Sequence, residues 1–542
     1  MGSGRDKRKK AKGGGKPGAG AEKTARKSEQ NEGKAVRRLE RKTQGGEDDI
    51  DALLAKFKLE DAAATAIRVE PGVRPSPRVY STFNLLPSQK ENELILFGGE
   101  WYDSEKDKTH VYADLFVLDV EKVAWRRIVS PKGPLPRSSH QSVMTKYHMY
   151  VFGGEFTSLN QEKFRHYNDL WRLNLADWSW EQLPGRGGPS PRSGHRMVLQ
   201  RNRLLLFGGF WDAGKEPKYY NDLWAFHLTD LQWECLGPTT QTGSSWPSPR
   251  GGCQLAVHGE LLFVFGGYSV LPPPDKDPAA KAAKRKSAGD DDDEGGKGVV
   301  HDDVWCYDTK SGAWERVRKA GMAPSARTGF GMARHGRRAV YFGGVVDQAG
   351  GRDRVYSELF NEAYQFDLET RRWFPLAVRA PRGKRAGAAA GGADGAPALA
   401  DGSALQVTPA QRARLEAAAT CIQASFRGYA VRKAYTAYKL GGAVSELLYS
   451  PALYGVDVGA SADTVKPRAR AAPLMAVARN TLWLLGGMVE VAHTDVVLDD
   501  VWSLDLSKLD GWTCVQENTG GEELKDLSDW ESDEEDSDSE AE

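Results

Sequence analysis

The chain has 542 residues, and its 74 basic and 74 acidic side chains cancel to a formal net charge of zero. The charges are unevenly placed, because residues 1–45 carry 15 basic and 5 acidic side chains whereas residues 521–542 carry 1 and 12. A neutral body between oppositely charged ends argues against a nucleic-acid-binding surface along the whole chain.

The N-terminal segment, residues 1–47, predicts a basic disordered tail that contains the run Arg5–Lys10. Two interpretations stay open: a nuclear address or RNA-binding arm, and a solubilising tail. No apolar stretch follows the basic run and no 18 apolar residues run together, so we expect neither a secretory signal nor a membrane span. Five scattered cysteines predict reduced thiols, and hence a cytoplasmic or nuclear location.

Residues 48–65 predict a short amphipathic helix, with apolar side chains from Ile50 to Leu59 on or near one side. We expect it to dock against the neighbouring domain, and binding to a partner is the alternative.

Six copies of one pattern then occupy residues 66–377 and 467–516. In each copy an apolar run precedes a glycine pair, an acidic residue follows, and a tryptophan comes eleven or twelve residues after that acid. The apolar run predicts a buried strand, the glycines a turn with positive φ or close backbone approach, and the tryptophan a filler between sheets. These structural repeat residues are the glycine pairs Gly98, Gly99, Gly153, Gly154, Gly208, Gly209, Gly266, Gly267, Gly343, Gly344, Gly486 and Gly487, and the tryptophans Trp125, Trp180, Trp233, Trp314, Trp373 and Trp512.

Four short strands per repeat predict an all-β fold, a six-bladed β-propeller with five blades in residues 66–377 and the sixth in residues 467–516. The repeat resembles that of the kelch family, which implies a propeller that binds other proteins. Two ways of closing the ring remain: complete blades in chain order, or residues 66–70 as the outer strand of the last blade. Arginines that precede the glycine pair by sixteen residues either line the channel or brace neighbouring blades, and bracing is favoured; they are Arg137, Arg192, Arg250, Arg327 and Arg470.

Two insertions interrupt the repeats. Residues 270–300 predict a disordered charged loop, whose run Asp290–Asp293 we interpret as solvated. The second insertion, residues 378–466, begins with an Ala/Gly-rich linker. It then predicts a helix over 408–440, which Thr408 caps and Pro409 starts.

This helix carries a segment that resembles the IQ motif, in which an apolar residue and Gln precede Arg-Gly and a further basic residue. The resemblance implies binding of calmodulin or another EF-hand protein, and the apolar face suits a methionine-rich groove. A basic amphipathic helix packed on its own propeller, or an insert without a partner, is the alternative. The predicted partner-binding residues are Ile422, Gln423, Phe426, Arg427, Gly428, Arg432, Lys433 and Tyr435.

The C-terminal segment, residues 517–542, predicts an acidic disordered tail. Each of four serines has an acidic residue three positions later, which resembles the sites of acidophilic kinases such as casein kinase two. Phosphorylation there would deepen the negative charge. The serines are Ser528, Ser532, Ser537 and Ser539.

The sequence predicts no catalytic residue, no metal ligand and no cofactor. It has no HExxH, no zinc-type Cys/His spacing and no GxSxG, and the glycine pairs are not followed by a phosphate-loop lysine. We therefore expect a non-enzymatic interaction scaffold or adaptor. A calmodulin- or EF-hand-regulated adaptor is the alternative, and an oxidoreductase like galactose oxidase, a kelch-type copper enzyme, is the third hypothesis.

Overall fold

The computed structural model describes residues 27, 31–34, 55–57, 66–88, 90–104, 106–212, 217–237, 245–271, 297–349, 355–378, 465–491 and 494–519. The chain divides into two compact units, Met1–Ala66 and Ile67–Glu542. In the first unit the described residues 27, 31–34 and 55–57 are helical, and 55–57 belong to the helix predicted over 48–65. The helix predicted over 408–440 lies outside the described residues. Residues 1–26 and 520–542 of the two predicted tails also lie outside them. No helix among the described residues is long and apolar enough to cross a membrane.

The second unit begins with three blades. Strand β1 (Arg68–Pro71) precedes blade 1, which contains β2 (Thr82–Leu85), β3 (Glu93–Phe97), β4 (Glu100–Asp103), β5 (Lys108–Val111), β6 (Leu115–Asp119) and β7 (Ala124–Val129). Blade 2 contains β8 (Gln141–Met144), β9 (His148–Phe152), β10 (Glu155–Thr157), β11 (Phe164–His166), β12 (Leu170–Asn174) and β13 (Trp180–Leu183). Blade 3 contains β14 (Arg196–Gln200), β15 (Arg203–Phe207), β16 (Phe210–Trp211), β17 (Lys218–Tyr219), β18 (Leu223–His227) and β19 (Gln232–Gly237).

Three further blades follow. Blade 4 contains β20 (Gln254–His258), β21 (Leu261–Leu271), β22 (Lys297–Asp308) and β23 (Ala313–Val317). Blade 5 contains β24 (Gly331–His335), β25 (Arg338–Phe342), β26 (Val345–Ala349), β27 (Val355–Leu359), β28 (Ala363–Asp367) and β29 (Arg372–Pro375). Blade 6 contains β30 (Leu474–Ala478), β31 (Thr481–Val491), β32 (Thr494–Asp505) and β33 (Trp512–Gln516). The predicted loop 270–300 is thus wrong at its ends, because β21 continues to Leu271 and β22 starts at Lys297.

Each blade has an antiparallel sheet of four strands that lie side by side in chain order, as the order β8-β9-β12-β13 in blade 2 illustrates. The first strand of every blade lies innermost and lines a central channel. The predicted all-β, six-bladed propeller is confirmed.

Strand β1 extends blade 1 rather than blade 6. It pairs with β7 from Arg68 opposite Val129 to Pro71 opposite Arg126, which gives blade 1 a fifth strand. The alternative that placed residues 66–70 in the last blade is therefore wrong. The turn after β1 holds the segment there, since Gly72 has a φ of 78° and its N–H donates to the Trp125 carbonyl at 2.9 Å.

Side chains close the ring between blades 6 and 1. Trp125 Nε1 of blade 1 donates to Gln516 Oε1 of blade 6 at 3.0 Å. Arg74 donates to the carbonyl of Asp499 at 2.6 Å and pairs with its carboxylate at 3.0 Å. Closure therefore relies on side-chain contacts between two complete blades.

The hydrophobic core consists of interfaces between neighbouring blades. Six buried clusters each combine residues of two adjacent blades, and together they cover all six junctions. At five junctions the phenylalanine before a glycine pair contacts the repeat tryptophan of the next blade, with ring centroids 5.2–5.9 Å apart. At the sixth, Leu485 and Trp125 share one cluster. The tryptophans thus lie in the wedges between sheets.

The glycine pairs have positive φ in every blade; they end the second strand in blades 1, 2, 3 and 5 and lie within β21 and β31 in blades 4 and 6. The first glycine has φ between 55° and 73°, and the second between 93° and 114°. A Cβ on the second glycine would lie 2.6–2.9 Å from a backbone carbonyl oxygen in the segment that precedes its own blade. At Gly154, for example, it would lie 2.6 Å from the Ser138 carbonyl. Neither the backbone angle nor the space admits a side chain there.

Candidate functional site

The repeat arginines join neighbouring blades. The backbone of Arg192 belongs to blade 2, since its carbonyl accepts from Gly154 N at 2.9 Å, whereas its side chain reaches into blade 3. There it donates to the Gly208 carbonyl at 3.0 Å and to both oxygens of Asp222 at 2.6 and 2.9 Å. The equivalent arginines at positions 137, 250 and 470 repeat this arrangement. The bracing interpretation is confirmed.

The aspartate that pairs with each of these four arginines also accepts a hydrogen bond from a tryptophan two residues later in the sequence. Trp171 Nε1 donates to Asp169 at 2.7 Å, and the same bond recurs in blades 3, 4 and 6 at 2.6–2.8 Å. Burial acts to raise the pKa of Asp169, but the hydrogen bonds and charge of Arg137 outweigh it and the pKa lies below its ordinary value. The pKa of Asp303 is lowered in the same way by Arg250, so Asp169 and Asp303 anchor their arginines as ionised carboxylates.

A belt of residues in the left-handed conformation surrounds the channel. Each of them comes two residues after the repeat arginine in the sequence. The belt contains one residue per blade, with φ between 50° and 62°. Backbone hydrogen bonds of 2.5–3.0 Å link its members at four of the six junctions between blades, for example Ser139 N to the Tyr80 carbonyl and Gly194 N to the Ser139 carbonyl. Its members are Tyr80, Ser139, Gly194, Gly252, Gly329 and Ala472.

Above the belt, every blade carries a two-stranded hairpin beyond its glycine pair. The hairpins are β4–β5, β10–β11, β16–β17, the distal ends of β21–β22, β26–β27 and the distal ends of β31–β32. We call this ring of hairpins the rim, and the face that bears it the rim face. The rim encloses the entrance of the channel, whose cavity has a volume of about 660 Å³.

One position of the rim differs in chemistry from blade to blade. It is the residue directly after the glycine pair, which in each blade forms an isolated bridge with the residue after a repeat arginine. Around the ring it is acidic in blades 1 and 2, aromatic in blades 3 and 4, and apolar in blades 5 and 6. The six residues are Glu100, Glu155, Phe210, Tyr268, Val345 and Met488.

The two carboxylates at this position are held in the same way. Ser138 Oγ donates to Glu100 at 2.7 Å, and Ser193 Oγ donates to Glu155 at 3.0 Å. Burial, with the charge of Glu155 adding to it, raises the pKa of Glu100 to about 7. Burial also raises the pKa of Glu155, although its serine hydrogen bonds act in the opposite direction. We call Glu100 and Glu155 the acidic arc.

His166 completes a hydrogen-bonded chain with Ser193 and Glu155. Its Nε2 accepts from the Asp212 backbone N–H at 3.1 Å, so its Nδ1 carries the proton in the neutral ring and faces Ser193 Oγ at 3.1 Å. Burial lowers the pKa of His166, which favours this neutral form. In a serine hydrolase the histidine must instead accept the serine proton. The arrangement here orients the Glu155 carboxylate and does not activate Ser193.

Aromatic rings continue the mouth of the channel from blade 2 to blade 4. The ring of His166 lies 6.0 Å from that of Phe210, which lies 5.7 Å from Tyr219, and Tyr219 lies 6.3 Å from Tyr268. We call Phe210, Tyr219 and Tyr268 the aromatic arc. All three line the cavity, together with Glu155 and with Tyr80, which is two-fifths exposed.

Inside the belt the channel wall is polar on the side of blades 1 to 4. Asn84 donates to Ser142 Oγ at 2.7 Å, and Arg196 donates to Gln254 Oε1 at 3.2 Å. Arg196 is the one lysine or arginine among the described residues that line the cavity. In the described part of the chain no three His, Cys, Asp or Glu residues are placed to hold a metal ion.

The predicted IQ residues 422–435 lie outside the described residues, so the structure does not place them. Sequence reasoning identified the repeat glycines and tryptophans but missed the acidic and aromatic arcs. A signal for them was present, because aligning the six repeats on their glycine pairs puts all six variable residues in one column.

Comparison with known proteins agrees with this architecture. A family model described as the KLHDC2/KLHL20/DRC7 Kelch-repeats domain matches residues 43–271, and one described as the IQ calmodulin-binding motif matches residues 416–436. The chain therefore carries kelch repeats, which form its β-propeller, and an IQ motif.

The chain is also similar in sequence to three proteins with different names. The chain is 25% identical over 253 residues to the flagellar outer-arm dynein alpha chain of Chlamydomonas reinhardtii, 26% over 289 to an N-(sulfonatooxy)prop-2-enimidothioate sulfolyase of Thlaspi arvense, and 25% over 298 to host cell factor of Drosophila melanogaster. These matches cover 45%, 52% and 46% of this chain and 5%, 75% and 19% of the respective relatives. The chain thus spans a small part of two of these relatives.

Proposed function

We propose that this chain is a non-enzymatic scaffold whose kelch propeller binds a protein partner at the rim face. The observation that carries the proposal is the contrast between two sets of equivalent positions. Arginine braces and glycine pairs recur around the ring, whereas the residue after each glycine pair changes from acid to aromatic to aliphatic. A rigid ring that presents a chemically varied mouth suits recognition of another chain.

The order of segments supports a closer relationship within the kelch proteins. Motifs such as ELILFGGEW, RSGHRMV and YYNDLW lie between a basic N-terminal and an acidic C-terminal segment. We infer from this order a relationship to kelch domain-containing protein 4 and its fungal relative. We also propose a cytoplasmic or nuclear location, and phosphorylation of the C-terminal serines by an acidophilic kinase.

Substitutions at the rim test the scaffold function. Phe164 and Trp211 are exposed on neighbouring hairpins, by 67% and 38%, and their replacement by alanine removes apolar contact area without entering the core. We expect the double variant to lose partners that the wild-type chain recovers in quantitative affinity purification. Tyr147, exposed by 62% at the turn between β8 and β9 on the opposite face, provides the matched control. Equal loss in the Tyr147→Ala control would contradict the proposal.

A second function, regulation by calmodulin or another EF-hand protein, is supported by the IQ match at residues 416–436. We propose that such a protein binds the segment around Ile422 and Gln423 and changes access to the rim face. Purified calmodulin should bind the full chain in EGTA, and Ile422→Ala/Gln423→Ala should abolish recovery. Gln411→Ala, outside the matched segment, is the control. Unchanged recovery of calmodulin by the double variant would refute this function.

Catalysis of the galactose oxidase kind needs copper, and its test is metal analysis. We propose that the chain is not such an enzyme, because that copper site needs two histidines and two tyrosines together, whereas the ten histidines of this chain are dispersed along the sequence. Purified protein expressed with copper should contain far less than one copper per chain. Stoichiometric copper would contradict the proposal.

A further inference from the structure

The acidic arc is not required by the propeller fold. Glu100 and Glu155 occupy a position that Phe210, Tyr268, Val345 and Met488 fill in the other four blades with the same backbone bridge. Four of six equivalent sites therefore close their blade without a carboxylate. The backbone bridge at this position therefore does not require the two glutamates.

Holding these carboxylates on the rim is unfavourable in the isolated chain. Their pKa values are raised, Glu100 to about 7, because burial disfavours the charged form; the charge of Glu155 adds to this effect at Glu100, and that of Asp212 adds to it at Glu155. In the described part of the chain no lysine or arginine pairs with either glutamate, and the His166 ring, whose Nδ1 lies 3.8 Å from Glu155, is neutral. A cation supplied from outside would satisfy both acids.

Tyr80 adds an aromatic surface beside the arc. It occupies the left-handed belt with φ 55°, where three of the other blades have glycine, and it lines the cavity with two-fifths of its surface exposed. An exposed ring next to carboxylates attracts a cation through both its face and the neighbouring charge. The aromatic arc extends this surface towards blade 4.

We propose that the acidic arc and Tyr80 bind the side chain of a lysine or arginine in an extended peptide of the partner, and that the aromatic arc receives an apolar or aromatic residue next to it. This proposal rests on the scaffold function and names the chemistry of its ligand. Arg196, the arginine that lines the cavity, does not pair with the acidic arc: it lies on β14 and donates to Gln254 and to the His195 carbonyl.

The test uses a random peptide library displayed on phage, selected against the full chain. We expect enriched peptides to carry a lysine or arginine beside an aromatic or large apolar residue. A fluorescein-labelled synthetic peptide of the enriched sequence should bind Glu100→Gln/Glu155→Gln at least about tenfold more weakly than wild type, because a buried charge pair loses one partner. The variant should fold, since four blades already lack an acid there.

A matched control replaces two exposed glutamates on outer strands, Glu181→Gln/Glu234→Gln, whose side chains are 59% and 54% exposed. We expect its affinity to stay within about twofold of wild type. Rim-bound peptides without an enriched basic residue, or equal binding by the acidic-arc variant, would overturn this inference and leave the scaffold function standing. Peptides that also bind Phe164→Ala/Trp211→Ala at full strength would count against the scaffold function at the rim.

Discussion

Replacing Arg192 by methionine should destabilise the propeller far more than the same change at Arg327. Both arginines are almost fully buried and occupy equivalent positions. Their surroundings differ, because Arg192 makes five hydrogen bonds whereas Arg327 makes three, one of them at 3.5 Å, and leaves its Nε without a partner.

The carboxylates that remain after substitution explain the expected magnitudes. Asp222, with a side chain 19% exposed, would keep only the Trp224 hydrogen bond, so Arg192→Met should cost about 3–5 kcal/mol. Glu362 is 48% exposed and regains water, so Arg327→Met should cost about 1–2 kcal/mol. Adding Asp222→Asn to Arg192→Met should recover part of the loss, because no unpaired charge then remains.

Urea unfolding followed by tryptophan fluorescence measures these differences from the midpoints, provided that the slopes agree between variants. Circular dichroism at each midpoint shows whether the whole sheet unfolds in the same transition. Equal costs for the two arginines, or a loss below about 1 kcal/mol for Arg192→Met, would refute the bracing argument.

Three further predictions concern pH and backbone. Burial lowers the pKa of His140 to about 3 and that of His195 well below its usual range, so the unfolded chain binds more protons between pH 6.5 and about 3. The contribution of each histidine to the free energy of unfolding should therefore be fully present above pH 6.5 and should fall on acidification by roughly 1.4 kcal/mol per pH unit. His195→Cys should reduce this dependence on pH, as measured by urea unfolding at several pH values. Because the pKa of Glu100 is raised, ionising this carboxyl destabilises the folded chain as pH rises from 4.5 to about 7. Glu100→Gln should therefore raise the melting temperature at pH 8 more than at pH 5. An equal rise at both pH values would contradict this prediction. Gly154→Ala, whose Cβ would clash, should lower the urea midpoint more than Gly187→Ala, which has positive φ but open space.

The sequence predicted the architecture because its signals are local and repeated. A glycine pair after an apolar run and a tryptophan at nearly fixed spacing specify strand ends and sheet packing without long-range information. The destination of β1 was not predictable in this way. Within the predicted segment the strand is Arg68–Pro71, and its partner β7 is set by the turn at Gly72 and by pairing with Arg126 to Val129, which no local pattern encodes.

The candidate site was only partly predictable from the sequence. Glu100 and Ser138 are 38 residues apart, as are Glu155 and Ser193, so each pair forms only when neighbouring blades meet. The residues that repeat revealed the fold, and the residues that vary within the repeat now indicate the binding surface. The IQ motif is identified from the sequence alone.

Site-specific photocrosslinking in cells tests the central claim most directly. A benzoylphenylalanine at position 211, on the rim, should crosslink the full chain to a discrete protein partner. The same residue at position 147, on the opposite face and at least as exposed, should not. Crosslinks to the same partner from position 147, with none from position 211, would contradict a binding surface at the rim face.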